Sequence, residues 1–217
     1  MGNKIYNSYK DLYKGVFEWG QVVYDKSIET GYIESFDGFK LKLPYFEEFK
    51  QLETKISSFS KEFWETYRTG KEEYILLKEN TEKRKEDKEL KKYKIKNKEA
   101  YNHYINYKDY VSKYFKRKSE YFRLCLNNPC QAGAASMTKR AVIMLFNKIK
   151  ENNHLQKVRI CSVIYDEVLI EVKEELAEQY RVILEECMVN AGSYFVNNSP
   201  ITITGTANIG DSWYECK

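Results

Sequence analysis

The N-terminal part of the chain has a helical pattern of apolar residues, and a short β pattern follows it. Apolar residues at every third or fourth position predict a helix over residues 3–30, which Gly31 would end. Asp37-Gly38 then lies between two short apolar runs, which is a strong signal for a β-hairpin, and Pro44 would terminate it. The first predicted elements are therefore one helix and one hairpin.

A long polar region comes next and is predicted to be helical in at least two pieces. Residues 47 to about 122 contain no proline and a single glycine, Gly70. The middle of this region reads KENTEKRKEDKELKKYKIKNK, which favours a solvated helix or a mobile connection. The part that follows reads YNHYINYKDYVSKYFKRK and places tyrosines among lysines at helical spacing. Such a pattern can bind a single nucleic-acid strand, but it is more typical of a packed helix face with solvated lysines.

Apolar residues become more frequent after Pro129. AGAASMTKRAVIMLFNKIKENN predicts a separate amphipathic helix, and KVRICSVI and VLIEV predict two strands joined by a turn at Tyr165-Asp166-Glu167. KEELAEQYRVILEECMVNAG predicts another helix ending at Gly192, and ITITGTANIG alternates like a strand. Helices segregated from an antiparallel sheet define an α+β fold.

Composition and charge exclude several classes of protein. The 217 residues carry 36 Lys and Arg against 32 Asp and Glu, a formal charge of +4, which excludes a histone-like polycation. The apolar runs are too short to span a membrane, so we expect no membrane partner. The five cysteines form no CxxC pair, and those in apolar stretches are expected to be buried, reduced thiols, so the pattern predicts a cytoplasmic location.

The turn between the two predicted strands is a candidate metal site. Asp166 and Glu167 are adjacent carboxylates on two apolar strands, and Mg²⁺ prefers such oxygens on a rigid support. Two-metal nucleotidyl transfer requires carboxylates that bridge both ions. The alternative is that aspartate is simply a good turn residue. Because no other aspartate ends an apolar strand, the residues predict half of a metal site.

A second candidate site is the segment YFRLCLNNPCQAGAASMTKRA. Small side chains such as those in its second half allow close approach of another helix or of a nucleic-acid backbone. Asn127 and Gln131 are residue types that contact the similar minor-groove acceptors of all base pairs. The alternative is an asparagine cap followed by an alanine-rich packing face.

In order along the chain, these stretches resemble the C-terminal part of a family A DNA polymerase, the bacterial DNA polymerase I type. GYIESFDGFKLKLP resembles the family hairpin GY-hydrophobic-x-T-x-x-G-R-R-R-x-x-P. FRLCLNNPCQAGAASMTKRA resembles R-x-x-x-N-x-P-x-Q-G-x-A-A-D-x-x-K-x-A. RICSVIYDEVLIEVKEEL resembles motif C, hydrophobic-x-H-D-E-hydrophobic, and IGDSW resembles the C-terminal G-x-x-W.

The resemblance implies a role for each matching position. Asp166 would be the motif C ligand for Mg²⁺, with Glu167 as the accessory catalytic carboxylate. The expected contacts with primer-template DNA are those of Arg123, Asn127, Gln131, Lys139 and Tyr165. Tyr165 stands where the family usually has the histidine that contacts the primer terminus, so that contact must differ.

The resemblance also implies that the chain has three segments. The sequence departs from the family pattern at two further places. Residues 1–44 would be a fingers-type helix and hairpin, 45–120 a helical insertion, and 121–217 a palm segment. Ser136 replaces the usual aspartate, and Phe39-Lys40-Leu41 replaces the basic triplet of the hairpin. The insertion suggests a viral or mobile-element origin.

The family's motif A aspartate and its nucleotide-binding helix would lie before Met1. The resemblance therefore implies template-directed nucleotidyl transfer from dNTPs that requires an N-terminal polymerase fragment, a partner subunit or a longer precursor. Two alternatives remain open from the sequence. One is a catalytically inactive, polymerase-derived DNA-binding or structural accessory protein, and the other is a helical viral scaffold.

Overall fold

The computed structural model describes residues 8, 10–196 and 200–216, so residues 3–7 and 9 of the predicted first helix lie outside the described residues. The elements are α1 (Lys14–Thr30), β1 (Tyr32–Glu34), β2 (Lys40–Lys42), α2 (Phe46–Ser57), α3 (Lys61–Glu86), α4 (Lys98–Glu151), β3 (Val158–Ile164), β4 (Glu167–Val172), a 3₁₀ turn (Glu174–Leu176) and α5 (Ala177–Val196). The strands form two antiparallel pairs, β1–β2 and β3–β4. This arrangement confirms the α+β fold.

The chain divides into two compact units. The first contains Met1–Lys42 and Cys125–Lys217, and the second contains Leu43–Leu124. The assignment of segments to fingers, insertion and palm stays a prediction. In the part of the chain that the structure describes, no helix combines the length and hydrophobicity of a bilayer span.

The first unit opens with the helix and hairpin that the sequence predicts. Gly31 ends α1 with a left-handed φ of 84°, and its N–H donates to the Ser27 carbonyl at 2.8 Å. Tyr32 pairs with Lys42 in the β1–β2 register, and Gly38 in the connecting loop has a φ of 82°. Both glycines adopt a conformation that other residues reach only at a cost, which explains why these local signals were reliable.

Asp37 in the hairpin loop is hydrogen-bonded to helix α4. The hydroxyls of Ser136 and Ser35 donate to its two carboxylate oxygens. These bonds, that of Ser136 first, hold the pKa of Asp37 below its ordinary value. The departure from the family pattern at position 136 therefore has a physical reason, since a carboxylate there would face the carboxylate of Asp37.

The inner face of the β3–β4 hairpin builds the core of the first unit. Val158 and the partly buried side chains on β3 and β4 pack on Leu145 and Ile149 of α4 and on Tyr180 and Cys187 of α5. A register shift between Ile160 and Ser162 leaves Cys161 in a bulge. Cys161 is consequently exposed, contrary to the prediction of a buried thiol, whereas burial raises the pKa of Cys187.

Helix α4 corrects the prediction of a separate helix after Pro129. The helix continues through this proline, although proline cannot donate the helical hydrogen bond. Pro129 is fully buried, as is Cys125 one turn earlier, so packing of this face offsets the lost bond.

The predicted end of the last helix and the predicted final strand are both wrong. Helix α5 passes Gly192 and ends at Val196, and residues 201–210 form no strand. A Cβ atom on Gly192 would lie 2.5 Å from the Ile203 side chain, so the glycine permits the C-terminal segment to lie against α5. Its role is close packing and not helix termination.

Aromatic side chains form the core of the second unit. Phe49 stacks on Tyr114 with ring centroids 5.5 Å apart and meets Tyr121 edge-on at 4.9 Å. Tyr107 packs edge-on against Phe63 at 5.0 Å. The tyrosine-rich stretch of α4 is thus mainly a packed face, which is the more typical of its two interpretations.

The lysine-rich stretch is partly helical and partly irregular. It continues α3 as far as Glu86, and the segment after it is anchored on Glu73, which is only 8% exposed. The Glu73 carboxylate accepts hydrogen bonds from the Tyr93 hydroxyl at 2.9 Å and from the backbone N–H groups of Lys96 and Asn97 at 3.1 and 3.3 Å. The helical part agrees with the predicted solvated helix, and the segment after it bonds to a buried carboxylate with three donors.

Gly70 lets α3 and α4 approach closely. A Cβ atom at this position would lie 1.9 Å from the Ala100 carbonyl oxygen and 2.7 Å from the Tyr104 Cβ atom. The Ala100 carbonyl is a backbone group, so it cannot rotate away from an added methyl group as a side chain could.

We expect Gly70→Ala to lower the free energy of unfolding by about 1–3 kcal/mol, because the helices must separate to accept the methyl group. Gly15→Ala is the control, since a Cβ atom there meets nothing within 4 Å. That variant should be neutral or stabilising by up to about 1 kcal/mol. Denaturant unfolding followed by circular dichroism measures both, and equal effects would contradict the close approach.

We expect Ser136→Asp to change how stability depends on pH. In the wild-type chain the lowered pKa of Asp37 gives stability that is present above the unfolded-state pKa and is lost as the pH falls through the folded-state pKa. In the variant two carboxylates face each other, so their shared pKa rises and stability falls as the pH increases from about 4 to 7. Thermal unfolding at both pH values, with Ser136→Ala as control, tests this. Parallel pH profiles for the wild type and Ser136→Asp would contradict it.

Candidate functional site

The candidate site lies at the tip of the β3–β4 hairpin. Ile164 pairs with Glu167, so Tyr165 and Asp166 form a two-residue turn. Tyr165 has a φ of 56°, in the left-handed range, while Asp166 does not have a positive φ. The Tyr165 side chain is 92% exposed, and Asp166 is also exposed. The hairpin therefore presents both side chains to solvent on a base that is packed on one face.

The two carboxylates of the turn differ in their surroundings. Glu167 accepts a hydrogen bond from the Trp213 indole N–H at 2.5 Å, which joins the hairpin to the C-terminal segment. The Asp166 carboxylate makes no hydrogen bond or ion pair with any residue that the structure describes. Asp166 is thus available to a ligand, whereas Glu167 is partly engaged.

A cleft of about 340 Å³ lies beside this turn. It is bounded by Asp166 and Glu167 on the hairpin, by Leu184 and Met188 on α5, and by residues 206–208. Glu185 of α5 holds the C-terminal wall, because its carboxylate accepts a hydrogen bond from the Ala207 N–H at 2.9 Å.

The described residues offer only part of a metal site. Within residues 10–196 and 200–216, no group of three or more His, Cys, Asp or Glu side chains could hold a metal ion. Asp166 fits the role of one oxygen ligand, because it is exposed and without a partner among those residues, and Glu167 has one oxygen that Trp213 does not engage.

The other predicted site residues lie on α4. Arg123, Asn127, Gln131 and Lys139 are all exposed. Because Asn127, Gln131 and Lys139 are separated by multiples of four, they follow one ridge of the helix over about 18 Å. Arg123 precedes Asn127 by one turn and belongs to the other unit. None of them forms a hydrogen bond or ion pair with Asp166 among the described residues.

Sequence reasoning missed one residue of the site. IGDSW matches a family motif, but nothing local in the sequence indicates that Trp213 reaches Glu167, which is 46 residues away. The tryptophan in the G-x-x-W pattern was the available signal, since an indole N–H usually finds an acceptor.

Comparison with known proteins identifies the family. The sequence model of DNA polymerase family A matches residues 1–215. This match covers nearly the whole chain and agrees with the antiparallel hairpin that carries the acidic turn. The chain belongs to DNA polymerase family A.

Its relatives among curated proteins are much longer polymerases. The chain is 35% identical over 95 residues to DNA polymerase I of Caldicellulosiruptor bescii, a match that covers 44% of this chain and 10% of that protein. It is 30% identical over 103 residues to the mitochondrial DNA polymerase I B of Oryza sativa subsp. japonica, a match that covers 46% of this chain and 10% of that protein. DNA polymerase I of Aquifex aeolicus is 28% identical over 91 residues, a match that covers 40% of this chain and 15% of that protein. No solved structure matches the chain.

We expect Tyr165→Gly to stabilise the hairpin, because tyrosine in the left-handed region costs about 1 kcal/mol that glycine avoids. The lost side chain is almost fully exposed, so little packing is removed. Denaturant unfolding should show a gain of about 1 kcal/mol or somewhat less. Tyr214→Gly is the control, since Tyr214 is 88% exposed without a positive φ and the change there should not stabilise. An equal or negative effect at Tyr165 would contradict a strained turn.

Proposed function

We propose that this chain supplies the motif C half of the active centre of a DNA-directed DNA polymerase. The reaction is template-directed nucleotidyl transfer from dNTPs. The observation that carries the proposal is the exposed Asp166 carboxylate, which has no partner among the described residues and stands on a packed hairpin beside a cleft of about 340 Å³. Because the chain belongs to DNA polymerase family A, we interpret this carboxylate as that of the motif C aspartate.

Asp166 would hold Mg²⁺ together with a carboxylate from outside these residues. Two bound ions would lower the barrier by stabilising the charge on the attacking and leaving oxygens. The role of this chain is to keep the Asp166 carboxylate at a fixed place on the turn. Glu167 would serve as the accessory catalytic carboxylate, and its orientation is held by the Trp213 indole.

The missing carboxylate and the nucleotide-binding helix would come from an N-terminal polymerase fragment, a separate subunit or a longer chain. Among the residues that the structure describes, the β3–β4 sheet has two strands, so each has an edge available for a further strand. Val163 on β3 is 46% exposed, and Ile143 and Phe146 on α4 are 61% and 49% exposed. Open strand edges and exposed apolar side chains within one unit fit an obligate partner.

The exposed ridge of α4 would contact primer-template DNA. Asn127 and Gln131 can bind minor-groove acceptors, which occupy similar places in all base pairs and so report pairing without reading sequence. Lys139 and Arg123 would contact the backbone, and Tyr165 would lie near the primer terminus. The helical insertion favours a viral origin and a place of action in the host cytoplasm.

The decisive experiment is primer extension with Mg²⁺ and dNTPs. It compares this chain, a fragment carrying motif A and the nucleotide-binding helix, and the two together. We expect extension only in the mixture, and a loss of at least about a thousandfold in Asp166→Asn, because the charge that holds the metal is removed. Asp11→Asn removes another exposed carboxylate of the same unit and should leave the rate unchanged.

Complex formation must be measured alongside, by size-exclusion chromatography. A mixture that forms a complex but does not extend the primer would contradict the catalytic proposal. It would favour instead a polymerase-derived accessory protein that keeps the fold without the reaction.

A further inference from the structure

A second cleft lies between α3 and α4, wholly within the unit Leu43–Leu124. It has a volume of about 590 Å³, which is within the range of ligand-binding clefts. Its aromatic walls come from Trp64 and Tyr67 on α3 and from Tyr104 and Phe115 on α4. We call this feature the α3–α4 cleft.

The aromatic rings divide into a floor and a rim. Tyr67 is 9% exposed and packs against Tyr104 with ring centroids 5.1 Å apart, and burial raises its pKa to about 12. Phe115 is 49% exposed. Trp64 is half-buried and meets Phe115 edge-on, with ring centroids 6.2 Å apart. The floor rings serve the core, whereas Phe115 and part of Trp64 remain accessible at the rim.

The cleft is also lined by three cations, Arg68, Lys71 and Lys108. None of them forms an ion pair with any described residue, whereas Lys61 and Lys113 of the same unit pair with Glu65 and Glu48. Lys108 lies over the Tyr74 ring at 5.3 Å. The lining residues include no acidic side chain, and the nearby carboxylate of Asp109 acts on the floor tyrosines Tyr67 and Tyr104.

We propose that the α3–α4 cleft binds single-stranded DNA. Bases stack on the rim rings Trp64 and Phe115, and phosphates lie against Arg68, Lys71 and Lys108. Aromatic platforms combined with a basic groove are the means by which proteins bind single strands without sequence preference. Duplex DNA keeps its bases stacked inside and offers the rim rings no base face.

The arrangement favours a strand over a mononucleotide. On α4 the lining runs from Tyr104 to Phe115, which is about 16 Å along the helix. Arg68 and Lys71 lie on α3 and Lys108 lies on α4, so both walls of the cleft carry positive charge. The cleft is therefore suited to successive nucleotides.

This site goes beyond the proposed polymerase function and uses none of its residues. Asp166→Asn should abolish primer extension and leave binding at the α3–α4 cleft unchanged. A failure of either proposal is thereby distinguishable from a failure of the other.

The test measures binding of the full-length chain to a short fluorescent oligothymidine by fluorescence anisotropy. Ser112→Glu places a carboxylate in the cleft at an exposed position, and we expect about tenfold weaker binding from its repulsion of phosphate. Asn106→Glu adds the same charge at an exposed position of α4 that does not line the cleft, and it should have little effect.

Two further variants separate stacking from charge. Phe115→Ala should weaken binding about tenfold, because it removes one platform on which a base stacks. Lys71→Ala should reduce the slope of log K against log salt by about 0.7, the value for one phosphate contact on a single strand. Circular dichroism confirms that each variant is folded.

Competition decides the nature of the ligand. Unlabelled oligothymidine should displace the probe, whereas an equal concentration of dTTP or of duplex DNA of the same length should not. Equal competition by duplex DNA or by dTTP would overturn the proposal. Equal losses in Ser112→Glu and Asn106→Glu would overturn it too, since the effect would then be one of net charge.

Discussion

Burial of one face of the β3–β4 hairpin is the interaction on which the candidate site depends. The hairpin is short and two-stranded, and such a pair is only marginally stable by itself. Leu145 from α4 and Tyr180 and Cys187 from α5 cover its inner face and hold its base. The Tyr180 hydroxyl, buried in this core, lies 3.0 Å from the His154 Nδ1 atom, which satisfies its polar group. Since the core covers one face and not the tip, Asp166 remains exposed.

Helix α4 links the core to the predicted DNA contacts. Its buried residues change face along its length, from Cys125 and Pro129 near the middle to Leu145 and Ile149 near the end. Asn127 and Gln131 are exposed because they lie nearly opposite Cys125 and Pro129, whose face is the buried one in this stretch of the helix. A helix that buries different faces in successive stretches shows no single apolar stripe, which is why its sequence was interpreted as separate helices.

The C-terminal segment also stabilises the site. It forms no strand in residues 201–210, and the Ala207 N–H donates instead to the Glu185 carboxylate. Gly192 allows it to approach α5, and Trp213 then reaches Glu167. The close packing at Gly192 thus places the C-terminal segment where Trp213 orients the Glu167 carboxylate.

The sequence alone determined the features that rest on local chemistry. Gly31 and Asp37-Gly38 predicted their cap and turn because left-handed backbone conformations strongly favour such residues, and two apolar runs predicted β3 and β4. The ordered motifs also identified the family and singled out Asp166 and Glu167. The tertiary structure decided whatever depended on distant partners. Burial carried a helix through Pro129, close packing carried another past Gly192, and Trp213 found Glu167, because contact energies between remote segments exceed the local preferences that a sequence pattern displays.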